Sequence, residues 1–225
     1  MTSLADLTTL RIGGQPRTLV TATTQAELIA AVSDADREGR PITILGGGSN
    51  ILFTETFDGD VVRVATSGVD NDPTVCAGAW VTVQAGHSWD DLVATAVTSG
   101  WQGIEALAGI PGTVGATPIQ NVGAYGQQVS DTIAQVRVWD RRTAQEQTLF
   151  AADCAFGYRT SRLKVEPARF VVLAVTFQLP LGTMSAPVRY AELAAHLGID
   201  AGQRAALADV RAAVLALRTG KGMVL

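Results

Sequence analysis

The sequence predicts an α+β protein in two parts, a small α/β unit over residues 1–66 and a larger α+β unit over residues 67–225. Three observations predict it. Apolar runs at 18–21, 42–45 and 60–64 flank one stretch, 24–37, whose apolar residues recur at helical spacing; such β-α-β alternation implies parallel pairing. After Thr66 the texture changes to longer strand-like runs at 132–139 and 169–179. Between them lies a stretch, 103–126, too rich in glycine and proline for a regular helix or central strand.

Each element has its own signal. Thr24 is placed to cap a helix that carries Leu28, Ile29 and Val32 and stops before Gly39. Ile42–Leu45 reads as a short buried strand entering a glycine run. Ser67–Pro73 reads as turn, and Val81–Ala85 alternates as a strand. Ser88–Ser99 reads as an amphipathic helix with Ser88 as cap, Asp90 and Asp91 in its first turn and Gly100 at its stop. Gln203–Leu217 reads as a last helix.

The chain has 225 residues, 47% hydrophobic and 17% charged, with a net charge of −4, as expected of a globular protein. It lacks the basic balance of a nucleic-acid binder. It has no apolar run long enough to span a membrane and no secretory signal at Met1–Leu10. Cys76 and Cys154 are too few and too far apart for a disulfide framework or a zinc site, and read as buried free thiols in a reducing, cytoplasmic compartment. His87 and His196 show no ligand spacing, so no metal is expected.

Three stretches can carry chemistry. In Gly46-Gly47-Gly48-Ser49-Asn50, a strand runs into glycines whose N–H groups can form a nest for phosphate oxygens; a plain tight turn fits the residues equally. The second runs from Gly109 to Gly126 and includes Ile110, Gly112, Gly115, Ala116, Gln120, Asn121, Gly123 and Tyr125. A long apolar irregular loop must find partners for its backbone. A flat heterocycle with several donors and acceptors would supply them, as would the loop's own backbone. The third, Phe156–Lys164, places Tyr158 and Arg159 among hydroxyls and further bases, which suits an anion or an ordinary surface loop.

These stretches, together with Thr8–Gly14, Pro187–Tyr190, Arg218 and Lys221, occur in the order and spacing of the UDP-N-acetylenolpyruvoylglucosamine reductases, the MurB family, which the whole chain resembles. The string from Ile110 to Gly126 is the specific one, and the Lys-Gly-Met-Val-Leu ending looks most like the actinobacterial branch. The resemblance implies a two-part FAD-binding region similar to the vanillyl-alcohol-oxidase flavoproteins, and a separate substrate domain that this chain lacks. It implies that Gly46–Asn50 cradle the FAD pyrophosphate and that Gly109–Gly126 wrap the isoalloxazine. It makes Arg159 catalytic and gives Tyr158, Tyr190 and Lys221 to substrate.

The implied reaction is NADPH-dependent, FAD-mediated reduction of UDP-N-acetylglucosamine enolpyruvate to UDP-N-acetylmuramate, by a monomer. The family's proton-donating serine and assisting glutamate lie beyond the Lys-Gly-Met region, past Leu225. On that resemblance the chain alone is expected to lack turnover. Two other readings stay open: an oxidase or dehydrogenase of the vanillyl-alcohol-oxidase type, for which His87 and Cys154 are the nearby flavin-tether candidates, and a flavin-binding module without catalysis.

Overall fold

The computed structural model describes residues 2–72 and 78–224. Strands β1 (Thr18–Ala22), β2 (Ile42–Leu45) and β3 (Asp60–Val64) form a parallel sheet in the order β1-β3-β2. β3 takes the centre because Val61, Val62 and Val64 are all buried, whereas β1 exposes most of its length. Asp60, buried where β3 starts, is paired with Arg17 at 3.0 Å and also with Arg40.

Helix α1 (Gln25–Arg37) begins in a capping box: Thr24 Oγ1 accepts from the Glu27 N–H at 3.1 Å, and Glu27 accepts from the Thr24 N–H at 3.1 Å. Leu28, Val32 and Ala35 form its buried stripe. The helix stands between the parallel sheet and a second, antiparallel sheet. Strands β4 (Val69–Asp72), β5 (Ala79–Gln84), β8 (Ile133–Asp140), β9 (Gln145–Phe150) and β10 (Phe170–Leu179) make that sheet in the order β4-β5-β10-β8-β9. β6 (Gly123–Ala124) and β7 (Gln127–Gln128) form a small separate hairpin. Gln25 and Asp36 of α1 bond to Gln84 of β5 and to Arg141 just past β8. Leu28 and Val32 share one core with Val62 of β3, Val83 of β5 and Val175 of β10.

β10 is buried along nearly its whole length, which explains its unbroken apolar sequence. Helix α2 (Trp89–Thr98) lays Trp89 against Phe177, with ring centres 6.0 Å apart, and the indole N–H donates to the Leu107 carbonyl. Helices α3 (Arg162–Val165), α4 (Ala191–Leu197) and α5 (Leu207–Gly220) follow, and α5 packs on α4 and on the 3-10 turn Glu105–Leu107.

The structure corrects two expectations. Part of the stretch read as turn, Val69–Asp72, is an edge strand: all four residues are exposed and pairing with β5 alone makes them a strand. Pro73 and Cys76 lie outside the described residues. The last helix starts at Leu207 rather than Gln203. The Ala205 and Gln203 carbonyls instead accept from the N–H groups of Ser185 and Val188, which keeps that segment extended.

A buried ion pair closes the far end of the second sheet. Asp140 is 0% exposed; it accepts from Arg169 Nη2 at 2.8 Å and Nε at 3.1 Å and from the Arg142 N–H at 2.9 Å. The Arg169 guanidinium holds the Asp140 carboxyl below its ordinary value of 3.8. A depressed folded-state pKa contributes stability that is complete above the unfolded value and is lost as pH falls through the folded one. Asp140→Asn is therefore expected to cost about 3 kcal/mol at neutral pH and clearly less at pH ~3. Urea unfolding at both pH values measures this, and equal costs at the two would refute it.

Candidate active site

β2 ends at Leu45 and the chain turns through Gly46, Gly47 and Gly48. A Cβ on Gly47 would stand 2.7 Å from the Gly112 Cα, one on Gly46 2.8 Å from Thr113 Oγ1, and one on Gly48 1.9 Å from the Leu7 carbonyl oxygen. The turn is clasped between two other pieces of backbone. The Thr9 N–H donates to the Gly48 carbonyl, and Ser49 Oγ donates to the Pro111 carbonyl at 3.4 Å. The sequence suggested glycines for close approach to a ligand; here they permit close approach of two loops to each other.

What the clasp leaves over is a set of donors. The N–H groups of Gly47 through Asn50, and of Gly112 and Thr113, donate to no protein acceptor among the described residues. Unspent N–H groups on adjacent loops suit an anion. They lie just past the carboxyl end of β2, where open parallel sheets bind ligands.

Among the described residues, the loop 109–126 lines three clefts, one of them beside Asp131 and Arg189 at its Asn121–Gly126 end and two more that reach its other residues. The first of those two, of 490 Å³, lies between Ile42, Ile44 and Gly46 on one side and Thr113, Gly115, Ala116, Ile119 and Val172 on the other. The second, of 500 Å³, is lined by Ile110, Gln120, Gly123, Tyr125, Tyr158, Arg159, Tyr190, Arg218 and Lys221. A dinucleotide with two ring systems and a central diphosphate calls for two clefts and a row of free N–H groups, and the chain supplies both. The residues present therefore fit FAD.

Side chains from several elements fix the loop. Gly109 donates to Asp90 Oδ1 at 2.7 Å, and its carbonyl accepts from Arg218 Nε at 3.1 Å. The Gly115 N–H donates to the Ala85 carbonyl, and a Cβ there would meet the Ala85 Cβ at 2.6 Å. Asn121, at φ 47°, donates to the Gly157 carbonyl at 3.0 Å and accepts from the Ser130 N–H at 3.1 Å. Its amide is thus committed to the protein. Glu105 is 0% exposed and accepts from the Gly103 N–H (2.6 Å), Gln127 Nε2 (2.9 Å) and the Ala186 N–H (3.2 Å).

The second cleft gathers Ile110, Gln120, Gly123, Tyr125, Tyr158, Arg159, Tyr190 and Lys221, which the sequence had singled out from four separate stretches. Arg159 has φ 56°, is exposed, and donates from Nη2 to the Gly123 carbonyl at 2.6 Å. Tyr158 is 90% exposed at the rim. Tyr125 and Tyr190 meet edge to face, 5.3 Å between ring centres. Lys221 sits 5.8 Å from the Tyr125 ring centre and pairs with Glu192 at 2.6 Å; that carboxylate raises the ammonium's pKa. Asn50 is exposed and lines neither cleft. Gly109 and Gly112 line neither cleft; Gly109 packs by Leu215 and Arg218, and Gly112 by Ser49.

Of the tether candidates, Cys154 is fully buried and burial pushes its thiol up to about 11, which makes it unreactive. His87 Nδ1 lies 3.2 Å from Ser67 Oγ, and its Nε2 is buried without a partner. His196 is exposed in the last turn of α4. Among the described residues no cluster of His, Cys, Asp or Glu is placed to hold a metal, and no helix is long and apolar enough to cross a membrane. Sequence reasoning missed Glu105, Asp90, Glu192 and a role for Arg218. Glu105 alone had a signal, a lone acid inside the apolar run 104–108.

Fold and site together define a flavin-dinucleotide-binding protein: the FAD binding domain family matches residues 16–148, and the chain belongs to it. Among curated relatives it is 58% identical over 223 residues to the UDP-N-acetylenolpyruvoylglucosamine reductase of Cutibacterium acnes, covering 99% of this chain and 59% of that protein. It is 53% identical to the protein of that name from Streptomyces avermitilis, covering 99% and 60%. The chain thus spans about three fifths of the length of these relatives. Among solved structures, the UDP-N-acetylenolpyruvylglucosamine reductase (MurB) of Thermus caldophilus superposes with a TM-score of 0.67 at 25% identity, over 97% of this chain and 68% of that one. Cholesterol oxidase from Brevibacterium sterolicum shares the fold, with a TM-score of 0.57 at 14% identity over 82% of this chain and 41% of that one.

Gly47 has an ordinary φ, so its need for a missing side chain is purely steric. Gly47→Val is expected to force the two loops apart and to lower the flavin-to-protein ratio at least tenfold, with secondary structure retained. Gly220→Ala is the control, since its φ is ordinary and a Cβ there meets nothing within 4 Å. Flavin absorbance of the purified variants measures the ratio; full flavin content in Gly47→Val would refute the clasp.

Proposed function

We propose that this chain is the flavin-holding part of an NADPH-dependent, FAD-containing reductase that converts UDP-N-acetylglucosamine enolpyruvate to UDP-N-acetylmuramate in peptidoglycan precursor synthesis. The observation that carries the reading is one loop, 109–126, that lines the first and second clefts and ends beside three cations, Arg159, Arg218 and Lys221. The name that the relatives share selects the substrate.

In this reading residues 1–66 and 67–225 are the two subdomains and FAD lies across them. The free N–H groups of Gly47–Asn50, Gly112 and Thr113 take the diphosphate. Gly46, Gly115 and Ala116 face the adenosine end, while Ile110, Gln120, Gly123 and Tyr125 surround the isoalloxazine. The chemistry that bound FAD supplies is hydride transfer from NADPH and onward to the enolpyruvyl group. Arg159 sits where the substrate carboxylate gains negative charge, its guanidinium oriented by the Gly123 carbonyl. Tyr158, Tyr190 and Lys221 bind the nucleotide-sugar. We infer a monomeric, cytoplasmic enzyme without nucleic-acid or membrane partners.

Arg159→Ala in the whole enzyme is expected to slow substrate reduction about a hundred- to a thousand-fold while leaving flavin reduction by NADPH nearly unchanged. Arg159→Lys keeps the charge but loses the planar fork, so it recovers only part of the rate. Stopped-flow at the flavin absorbance band separates the two halves. Equal losses in both halves would show that Arg159 holds the cofactor or the fold instead.

A further inference from the structure

Among the described residues, one acid pairs with a cation of the second cleft. Glu192 lies two residues after Tyr190, in the first turn of α4, and its Oε2 is 2.6 Å from Lys221 Nζ, just past α5. Both side chains are part-exposed, 42% and 37%. The groups around the ammonium are the rings of Tyr125 and Tyr190, the guanidinium of Arg218 and, across the cleft, Arg159. Arg218 is 9% exposed and, among the described residues, bonds only to the carbonyls of Gly109 and Met223. Arg159 likewise spends a donor on a carbonyl. Lys221 is therefore the only one of the cleft's three cations whose charge a carboxylate neutralises.

We propose that Glu192 is a positioning residue that stores Lys221 at the mouth of the cleft and yields it to the diphosphate of an incoming nucleotide-sugar. The ion pair and the bound diphosphate are alternative partners for one ammonium. The inference rests on the reading of this cleft as the nucleotide-sugar site. Glu192 acts twice against an anion: it competes for Lys221, and it places a like charge beside the entering phosphates. It does neither to a neutral ligand. It thereby sets how much negative charge a ligand must bring before the cleft accepts it.

The geometry suits such an exchange. A part-exposed pair is weak enough to be traded, since water screens it and holding two long side chains costs entropy. The Tyr125 ring face keeps the ammonium at the cleft when its carboxylate partner is replaced. Tyr190 and Glu192 share one short segment, so a ligand that moves Tyr190 also moves the acid.

The chain's only lysines are Lys164 and Lys221, which makes the test clean. The chain is prepared with FAD and 13Cε-labelled lysine, and the two lysine signals are followed in wild type and Glu192→Gln while UDP or uridine is added. In wild type, UDP is expected to move the Lys221 signal and leave that of Lys164 in place. Glu192→Gln is expected to tighten UDP about two- to fivefold, the range of an exposed ion pair, and to leave uridine affinity unchanged. In a Lys221→Gln background the gain from Glu192→Gln should shrink to that of charge repulsion alone.

If UDP binds and moves Lys221 but Glu192→Gln leaves its affinity unchanged or weaker, the exchange is overturned while the reading of the cleft stands. If Glu192→Gln changes uridine and UDP affinity alike, Glu192 serves only the start of α4, and the proposal fails. If FAD-loaded wild type shows no UDP-dependent shift of Lys221, the reading of the cleft fails and the exchange with it.

Discussion

The molecule depends on a contact between two backbones with no side chain between them. Gly46–Gly48 at the end of the parallel sheet and residues 111–113 on the antiparallel side approach within a distance that excludes a Cβ at Gly47. That contact joins the two sheets at the point where the free N–H groups converge. It also explains why glycine is needed on both partners. At Gly112 the demand is conformational, φ 118°, and at Gly47 it is steric. Moving either loop outward by a side chain's width would separate the donors that a diphosphate needs together.

The joint is stiffened from both sides. Helix α1 fills the space between the sheets with Leu28 and Val32, and its polar residues bond to Gln84 and Arg141. On the other side, Trp89 sits on Phe177 and reaches the Leu107 carbonyl. The loop 109–126 is therefore irregular without being loose. Its first residue is bonded to α2 and α5, its middle to Ala85, and Asn121 to the Gly157 segment that carries Arg159. Packing and hydrogen bonding reach the same residues, which is how an irregular backbone survives in a core.

Much of this was legible in the sequence, and the reasons differ by element. β10 and α1 were readable because burial forced apolar residues onto a run and a stripe. The edge strand β4 was not, since four exposed polar-rich residues become a strand only by pairing with β5. β9 escaped notice for a similar reason, as most of its residues face solvent. The start of α5 was misplaced because residues 203–206 carry helical composition but spend their backbone on the 183–188 segment. At the site, residue types and order pointed to the residues of the second cleft. They did not reveal that the Asn121 amide bonds to Gly157 and Ser130, or that Glu192 pairs with Lys221. Those are facts of three-dimensional pairing with no local signature.

The charges are divided by role. The acids nearest the loop take up backbone N–H groups: Glu105 accepts from Gly103 and Ala186, which flank the loop in space, and Asp90 accepts from Gly109 while also pairing with Arg211. Glu105 is fully buried with no cation beside it, and three donors replace its hydration. Two of the nearby cations are satisfied by carbonyls instead, Arg218 by Gly109 and Met223, and Arg159 by Gly123. A carbonyl orients a guanidinium without cancelling its charge. Acids matched to backbone N–H, and cations matched to backbone carbonyl, leave the second cleft positive although the chain carries a net charge of −4. Asp90 accepts from Gly109 while paired with Arg211, so the cations of the cleft are left their charge; had Glu105 been paired with Arg159 or Arg218 instead, the cleft would have lost part of its field. The loop's shape and the cleft's preference for anions thus come from one arrangement of hydrogen bonds.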